Sequence, residues 1–354
     1  MRFSLFFEMQ ISEPGAASER RLFHDCAEQA VLADALGYQG IWAAEHHGLY
    51  EYAHSSAPEI FLAYVAARTR SIRIGHGVTL TPGNYNHPIR IAERIAALDI
   101  LSEGRVDWGS GKSGSRTEQD AFSNDPAKLH DEWAEALEMI PRMWRDDVFE
   151  WHSERYDIPP TQIVPKPVQR PHPPMFAACT NARTAELAGS LGIGALNFAA
   201  GTDAELAAKV AAYRANWDAA APSAYAKTGR YVCTPTALVL EDDRLACTHG
   251  FRGARFFWDA MKEYYAYRDR PTGRLPVPRG DLTEEALAAA MAARSEGALT
   301  AVVGDPVRAR ETVARFAAAG VDELALVMQV GTVPHELIMS SIRVFAEKVM
   351  PDFV

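Results

Sequence analysis

The feature of this sequence that most constrains its fold is a regular alternation of short apolar runs with amphipathic helical segments. Eight runs have the length and composition of strands, at 2–7, 40–44, 72–79, 106–109, 175–178, 195–198, 231–240 and 323–329. Segments with helical spacing separate them, as at 88–101, where Ile91, Ile95 and Leu98 share one face. Strands that alternate with helices run parallel, and eight such units favour a closed barrel over an open sheet. The sequence therefore predicts an α/β fold of the (β/α)8 TIM-barrel class.

Two insertions interrupt this alternation. The segment 144–174 is rich in proline and aromatic residues, and the segment 251–300 contains Phe256-Phe257-Trp258 and Tyr264-Tyr265. Long insertions in a barrel commonly cover its C-terminal face, where active sites lie. We therefore expect one barrel domain over residues 1–354, with insertions over this face and the aromatic residues as a lid and substrate wall. The structural alternative is surface decoration, or an aromatic cluster in the core or in an interface.

Charge and cysteine distribution argue against several classes of function. The 354 residues include 36 Lys and Arg against 46 Asp and Glu, for a net charge of −10. Without a long basic run, neither nucleic acid nor an anionic membrane is an expected partner. No apolar stretch is long enough for a transmembrane helix or a secretion signal. The four scattered cysteines contain no C-x-x-C pair, which argues against a disulfide framework and a zinc site and indicates a cytoplasmic protein.

The second predicted strand ends in Glu45-His46-His47. Side chains alternate along a strand, so the two imidazoles point to different sides, and at most one faces the pocket directly. The sequence has no H-E-x-x-H spacing, so we predict no metal at this position. The functional interpretation is an active-site imidazole that exchanges a proton near neutral pH. The alternative is a pair of packed, hydrogen-bonded histidines.

Three further strand ends carry candidate ligand-binding residues. Gly77-Val78 is interpreted either as a β-bulge or as a strained peptide against a planar ligand. The loop 109–114, with Lys112 and Ser113, is either an anion site or a glycine-rich turn with a solvated lysine. Thr180-Asn181, with Thr184 one turn later, is either an ordinary helix cap or part of a phosphate site shared with Lys112.

Several of these segments together resemble the bacterial luciferase-like flavin monooxygenase family. The resemblance rests on Trp42-Ala43-Ala44-Glu45-His46-His47, on His87-Pro88-Ile89-Arg90 and on Leu98-Asp99-Ile100-Leu101-Ser102-Glu103-Gly104-Arg105. It implies a barrel that binds reduced FMN at its C-terminal rim and reacts with O2 through a flavin hydroperoxide to oxygenate a small organic substrate, as in Baeyer–Villiger oxidation of a carbonyl. Because the sequence shows no nicotinamide-binding unit, a separate flavin reductase would supply the reduced FMN. Light emission is not implied.

The resemblance also assigns roles to individual residues. It implies that His46 is the catalytic histidine and His47 its neighbour in the motif. It places a cis peptide under the flavin at Gly77-Val78, and Asn197 and Phe198 beside the ring. Lys112 stands where the luciferases have a phosphate-binding arginine, and Ser113 would assist it because lysine lacks the bidentate fork of arginine. The remaining phosphate contacts would come from Thr180, Asn181 and Thr184.

Two other functions fit the same family resemblance. A deazaflavin-dependent oxidoreductase would transfer hydride without O2, but its cofactor has a long acidic tail, and Lys112 with Arg116 makes no dense basic cluster. A non-catalytic flavin-binding protein would not need the intact Glu45-His46-His47. The resemblance also implies a homodimer, for which the small residues Ala57, Ala63, Ala66 and Ala67 offer a close-packing face. The alternative for that face is internal packing against the barrel.

Overall fold

The computed structural model describes residues 1–220, 227–265, 272–294, 297 and 299–354 of the chain. The strands are β1 (Arg2–Phe7), β2 (Gly40–Ala43), β3 (Arg73–Leu80), β4 (Val106–Gly111), β5 (Phe149–His152), β6 (Asp157–Thr161), β7 (Met175–Ala178), β8 (Gly194–Phe198), β9 (Tyr231–Thr234), β10 (Thr236–Val239), β11 (Ala301–Gly304) and β12 (Glu323–Leu326). The helices are α1 (Ala16–Ala35), α2 (Pro58–Ala66), α3 (Pro88–Leu101), α4 (Arg116–Ala121), α5 (Leu129–Arg145), α6 (Ala182–Ser190), α7 (Asp203–Ala219), α8 (Asp243–Tyr265), α9 (Glu284–Ala293), α10 (Pro306–Ala318) and α11 (His335–Lys348), followed by a 3-10 turn at Met350–Asp352.

Eight of these strands form a closed parallel barrel, which confirms the predicted fold class. Around the barrel the order is β1, β2, β3, β4, β7, β8, β9, β12, and β12 returns to β1. Each barrel strand overlaps one of the eight predicted runs. Parallel pairing places all eight carboxyl ends at one mouth, so residues that follow different strands meet there.

The seventh predicted strand, 231–240, is wrong as one continuous element. β9 belongs to the barrel, whereas β10 leaves it and pairs with β11 in a separate two-stranded sheet. Pro235 separates the two strands and has no backbone N–H with which to continue the ladder. Its carbonyl accepts from the N–H of Val327 at 2.9 Å, which holds the break against the end of β12.

Glycines on β3 identify the side chains that face the barrel axis. A Cβ atom at Gly75 would lie 2.4 Å from the Trp42 ring, and one at Gly77 would lie 2.8 Å from the Phe6 ring. Phe6 and Trp42 therefore fill the interior opposite these glycines. Because side chains alternate along a strand, this contact sets which residues of each strand point inward.

The N-terminal end of the barrel contains a buried ion network. Arg230 contacts Asp107 at 2.6 Å and Glu323 at 2.9 Å, while Arg73 contacts the other oxygen of Asp107 at 2.7 Å. The second oxygen of Glu323 accepts from the Trp42 indole at 2.9 Å and from the Ser4 hydroxyl at 2.6 Å. Burial would raise the pKa of Asp107, but the Arg230 and Arg73 charges lower it. Both carboxylates are thus paired through both oxygens.

The two insertions take different courses. The first contains the β5–β6 hairpin, and beyond the hairpin Gln169 contacts Asp99 and the Val106 carbonyl, near the start of β4. The second begins within α8, whose last residue, Tyr265, reaches the barrel mouth. Part of it, at 266–271, 295–296 and 298, lies outside the described residues. No helix in the described ranges combines the length and apolar character needed to cross a membrane.

Candidate active site

His46 lies between two buried carboxylates at the C-terminal mouth. Its Nδ1–H donates to Oε1 of Glu118 at 2.9 Å, and its Nε2 lies 3.4 Å from Oε2 of Glu8. Glu8 directly follows β1, and Glu118 is on α4, beyond the end of β4. The carboxylate side chains are 1% and 0% exposed, whereas that of His46 is 13% exposed. The segments that follow β1, β2 and β4 therefore place one carboxylate at each nitrogen of a single imidazole.

The surroundings of His46 favour its protonated form. Burial alone would lower the pKa of His46, but the charges of Glu118 and Glu8 and the hydrogen bond to Glu118 raise it to about 9. For Glu118, burial alone would raise the pKa, but the charge of His46 and several hydrogen bonds outweigh it and lower the pKa. For Glu8 burial prevails, so its pKa is raised. At neutral pH the arrangement therefore consists of an imidazolium with Glu118 as its ionised partner.

Two further donors hold Glu118 in place. The Ser113 hydroxyl donates to Oε2 of Glu118 at 2.6 Å, and the backbone N–H of His47 donates to Oε1 at 2.9 Å. On the other side, the Tyr52 hydroxyl donates to Oε1 of Glu8 at 3.1 Å. Each carboxylate thus has a fixed orientation independent of His46.

His47 belongs to a second hydrogen-bonded group. Its Nε2 lies 3.2 Å from Oε1 of Glu45, which also accepts from Asn86 at 2.8 Å, while Oε2 of Glu45 accepts from the Leu80 N–H at 2.8 Å. The His47 ring packs at 4.7 Å from Phe122. The two adjacent histidines therefore point to different partners, and both are hydrogen bonded. β2 ends at Ala43, so their directions are set by the loop after the strand and not by strand alternation.

The aromatic residues of the second insertion divide between core and mouth. Phe256, Phe257 and Tyr264 are fully buried, so the core alternative holds for them. Tyr265 remains partly exposed, and its ring stands edge-on to His46 at 6.4 Å and to Tyr52 at 6.3 Å. Among the described aromatic residues of this insertion, Tyr265 is therefore the one that forms a wall beside the imidazole.

The peptide bond between Gly77 and Val78 is cis, and the pairing register between β3 and β4 shifts at the same place. Val78 contacts the neighbouring strand closely, since a Cβ atom at Gly111 would lie 2.4 Å from it and 3.6 Å from Ala178. Val78 and Ala178 are nevertheless partly exposed. They form an apolar surface at the mouth, on β3 and β7, with Gly111 of the intervening strand β4 between them.

The structure separates Asn197 from Phe198. Leu196 faces the interior near Gly77, so alternation turns Phe198 inward and Asn197 outward. Phe198 is partly exposed and stands edge-on to Trp258 at 5.9 Å. The amide nitrogen of Asn197 is buried and lacks a hydrogen-bond partner within the described residues. Phe198 alone of the pair continues the apolar surface of Val78 and Ala178.

The residues expected to bind phosphate lie in one sector but in different environments. Lys112 and Thr180 follow the paired strands β4 and β7, and Lys112 Nζ is 3.4 Å from His130 Nδ1. Asn181 and Thr184 form a capping box at the start of α6, so the helix-cap interpretation holds for them. Thr180 and Asn181 are exposed, which leaves this helix start accessible beside Lys112. The Ser113 hydroxyl is occupied by Glu118 instead.

Two acidic residues of the site were not identified from the sequence. Glu8 stands directly after the first strand, so the rule applied to the later strand ends would have found it. Glu118 stands seven residues beyond β4 and has no recognisable spacing to His46. Its approach depends on the turn at Ser113, which has a φ of 65°, and a single sequence does not reveal that turn.

The family model for luciferase-like monooxygenase matches residues 1–323. The oxygenase component of flavin-dependent trigonelline monooxygenase from Acinetobacter baylyi is 30% identical over 191 residues, which are 53% of this chain and 51% of that protein. F420-dependent hydroxymycolic acid dehydrogenase from Mycobacterium tuberculosis is 32% identical over 170 residues, 47% of this chain and 46% of that protein. The chain thus spans about half the length of the curated relatives that it matches.

Solved structures match over the full length. Monooxygenase RslO1 from Streptomyces bottropensis has a TM-score of 0.84 at 24% identity and covers 100% of both chains. The oxygenating constituent of 3,6-diketocamphane monooxygenase from Pseudomonas putida, a type II Baeyer–Villiger enzyme in complex with FMN, has a TM-score of 0.78 at 18% identity and covers 100% of this chain and 99% of that one. At these identities the likeness shows the fold.

Proposed function

The chain belongs to the luciferase-like monooxygenase family, and from that premise we propose that it is the oxygenase component of a two-component monooxygenase. It takes reduced FMN from a separate flavin reductase and uses O2 to oxygenate a small organic substrate. The observation that carries this proposal is the imidazolium of His46, held between Glu118 and Glu8 at the same barrel mouth as the partly exposed apolar side chains of Val78, Ala178 and Phe198. In this proposal the protein is cytoplasmic, where a reductase supplies the cofactor.

The described residues fit the two chemically different ends of FMN. The apolar surface of Val78, Ala178 and Phe198 suits a planar aromatic ring, because such a ring is stabilised by contact with apolar side chains that exclude water. Lys112 and the exposed start of α6 suit a phosphate, because an ammonium group and a helix N-terminus both attract an anion. The two features lie on the neighbouring strands β3, β4, β7 and β8.

When bound, reduced FMN supplies the electrons with which O2 is activated. The contribution of the chain is to place a proton and to limit the access of water. His46 holds a proton on Nε2, which lies 3.4 Å from the carboxylate of Glu8, so the chain keeps a positioned acid at the mouth. Tyr52 and Tyr265 pack against the imidazole and restrict solvent on that side.

The second candidate function is a deazaflavin-dependent dehydrogenase. It is favoured by the similarity to the mycobacterial enzyme, which its name describes as F420-dependent. A protonated His46 would serve carbonyl reduction as well as oxygenation. Anaerobic titration of the full chain with reduced FMN and with reduced F420 separates the two, because we expect saturable binding of reduced FMN and turnover only after O2 is admitted. Anaerobic turnover with F420 and none with FMN would reverse the assignment.

The test of His46 is the substitution His46→Ala. With candidate ketones, aldehydes and sulfur compounds as substrates, we expect the variant to bind FMN within threefold of the wild type while oxygenated product falls and hydrogen peroxide release rises. His152→Gln is the matched control, because His152 also has two carboxylate partners but lies on the exposed β5–β6 hairpin. An unchanged ratio of product to peroxide in His46→Ala would remove His46 from the reaction.

We also propose that the chain forms a homodimer through the outer faces of α2 and α3. These neighbouring helices expose the apolar side chains of Ile60, Tyr64 and Leu101. Ala66, one of the small residues expected at this seam, is buried within the chain, whereas Ala67 is exposed. Sedimentation of Leu101→Glu tests the proposal: the variant should be monomeric where the wild type is dimeric.

A further inference from the structure

One arginine of the second insertion pairs with a buried carboxylate that the proposed reaction does not use. Nη2 of Arg279 donates to Oε2 of Glu51, whose side chain is 1% exposed. The other oxygen of Glu51 is buried and has no hydrogen-bond partner within the described residues. A carboxylate in the interior is stabilised only when it is paired, so the position of Glu51 depends on Arg279.

The same guanidinium contacts two further segments of the chain. Its Nε donates to the carbonyl of Ser12, beyond β1, at 3.1 Å, and its central carbon lies 5.7 Å from the centre of the Phe256 ring on α8. Two carbonyls of its own segment, those of Leu275 and Val277, accept from Nη1 at 3.2 and 2.7 Å. Arg279 therefore joins α8 to the segments that follow β1 and β2.

Glu51 shares a tight turn with its neighbour Tyr52. The N–H groups of Tyr52 and Ala53 both donate to the carbonyl of Leu49 at 2.9 Å, and we call these residues the 49–53 turn. On α8, the ring of Phe257 packs 5.5 Å from that of Tyr52. Because Glu51 and Tyr52 are adjacent in one turn, a displacement of Glu51 moves Tyr52 as well.

Tyr52 connects the 49–53 turn with His46. Its hydroxyl donates to Oε1 of Glu8 at 3.1 Å, and its ring stands 5.6 Å from that of His46 and 6.3 Å from that of Tyr265. The other oxygen of Glu8 lies 3.4 Å from Nε2 of His46. A displacement of the turn would therefore release the carboxylate that faces the imidazole.

We propose that Arg279 is a positioning residue for His46, because it holds the 49–53 turn against α8 and thereby keeps the Tyr52 hydroxyl on Glu8. The inference rests on the proposed function, in which His46 is the acid. Arg279 itself is not a catalytic residue, since Glu51 and Tyr52 stand between it and the imidazole.

The experiment is the titration of His46 by nuclear magnetic resonance in the full chain with Arg279→Met. Displacement of Glu8 takes a negative charge away from Nε2, so we expect the transition of His46 to move to lower pH by about 0.5–1 pH unit. Loss of the Arg279 charge without displacement would act in the opposite direction, because removal of a positive charge favours the imidazolium. A transition that stays in place or moves to higher pH would overturn the proposal.

A second substitution shows whether the effect passes through Tyr52. Tyr52→Phe should also lower the transition of His46, because the Tyr52 hydroxyl orients Glu8 and lowers its pKa. The double variant Tyr52→Phe/Arg279→Met should lower the transition no further than the larger of the two single shifts. Additive shifts in the double variant would contradict a shared route.

Two other arginine variants separate positioning from a general effect of the insertion. Arg279→Lys should recover most of the shift, because a lysine still pairs with Glu51. Arg274→Met is the matched control, since Arg274 lies on the same segment and contacts Glu13 but is 63% exposed, and it should leave the transition unchanged. A shift in Arg274→Met equal to that in Arg279→Met would contradict the role given to Arg279.

Where the unpaired carboxylate of Glu51 prevents Arg279→Met from folding, Glu51→Gln/Arg279→Met takes its place. This variant removes both charges and the contact between them, and the same shift of His46 is expected. The ratio of product to peroxide then separates this proposal from the proposed function. A shifted His46 with an unchanged ratio would support the positioning role and would remove His46 from the oxygenation.

Discussion

The two ends of the barrel both bury carboxylates, but they neutralise them with different cations. At the N-terminal end, Asp107 and Glu323 are paired with guanidinium groups, of which Arg230 touches both. At the mouth, Glu8 and Glu118 stand on either side of one imidazole, that of His46. A guanidinium stays charged at every pH at which the protein folds, whereas an imidazole gains and loses its proton. One end is thus built for constant charge and the other for a charge that changes.

The largest predicted loss of stability follows from removal of a guanidinium at the N-terminal end of the barrel. Arg230→Met leaves two buried carboxylates short of a partner, and we expect it to lower the free energy of unfolding by about 3–5 kcal/mol. Urea unfolding measures this loss. Arg2→Met is the matched control, because Arg2 is more exposed and lies 3.6 Å from Glu323, so it should cost less than about 1 kcal/mol. Equal losses in the two variants would contradict the role given to Arg230.

The next largest effect should be a pH dependence confined to the mouth. The pKa of His46 is raised from 6.5 to about 9 in the folded chain, so its contribution to stability is complete below pH 6.5 and is lost as the pH rises to 9. The gap in unfolding free energy between wild type and His46→Gln should therefore shrink by up to about 3 kcal/mol between pH 6 and pH 9.5. The deficit of Arg230→Met should be the same at both pH values. Parallel curves for wild type and His46→Gln would contradict the assignment.

The contribution of a second histidine, His76, to stability should depend on pH in the opposite direction. His76 is buried, and burial lowers its pKa from 6.5 to about 4. Its contribution is therefore complete above pH 6.5 and is lost as the pH falls toward 4. The combined contribution of His46 and His76 to the free energy of unfolding should therefore be largest near pH 6.5.

The smallest effect distinguishes a hydrogen-bonding role from a cofactor-binding one. Ser113→Ala removes the donor to Glu118, and we expect a loss of about 1 kcal/mol in stability with less than a twofold change in FMN affinity. Lys112→Met should leave stability unchanged but weaken FMN about tenfold, because it removes the charge proposed to meet the phosphate. Fluorescence titration with FMN measures the affinity of each variant. A large affinity loss in Ser113→Ala would return Ser113 to the phosphate site.

The sequence was sufficient for the barrel but not for the whole site. Alternating apolar runs determine the strands, and parallel pairing then brings His46 and Lys112 to the same mouth. The break at Pro235 was missed because the apolar run continues on both sides of it. The outward direction of Asn197 depends on strand alternation counted from Gly77, which requires the packing of β3. The position of Glu118 next to His46 depends on a loop conformation that produces no periodic pattern in the sequence.

The most direct test of this account is the titration of His46 by nuclear magnetic resonance of the histidine-labelled chain, with His46→Gln to assign the signal. The account predicts that His46 is protonated at pH 7 and loses its proton near pH 9, and that Glu118→Gln moves this transition to lower pH. A neutral His46 at pH 7, or a transition that Glu118→Gln leaves in place, would contradict it.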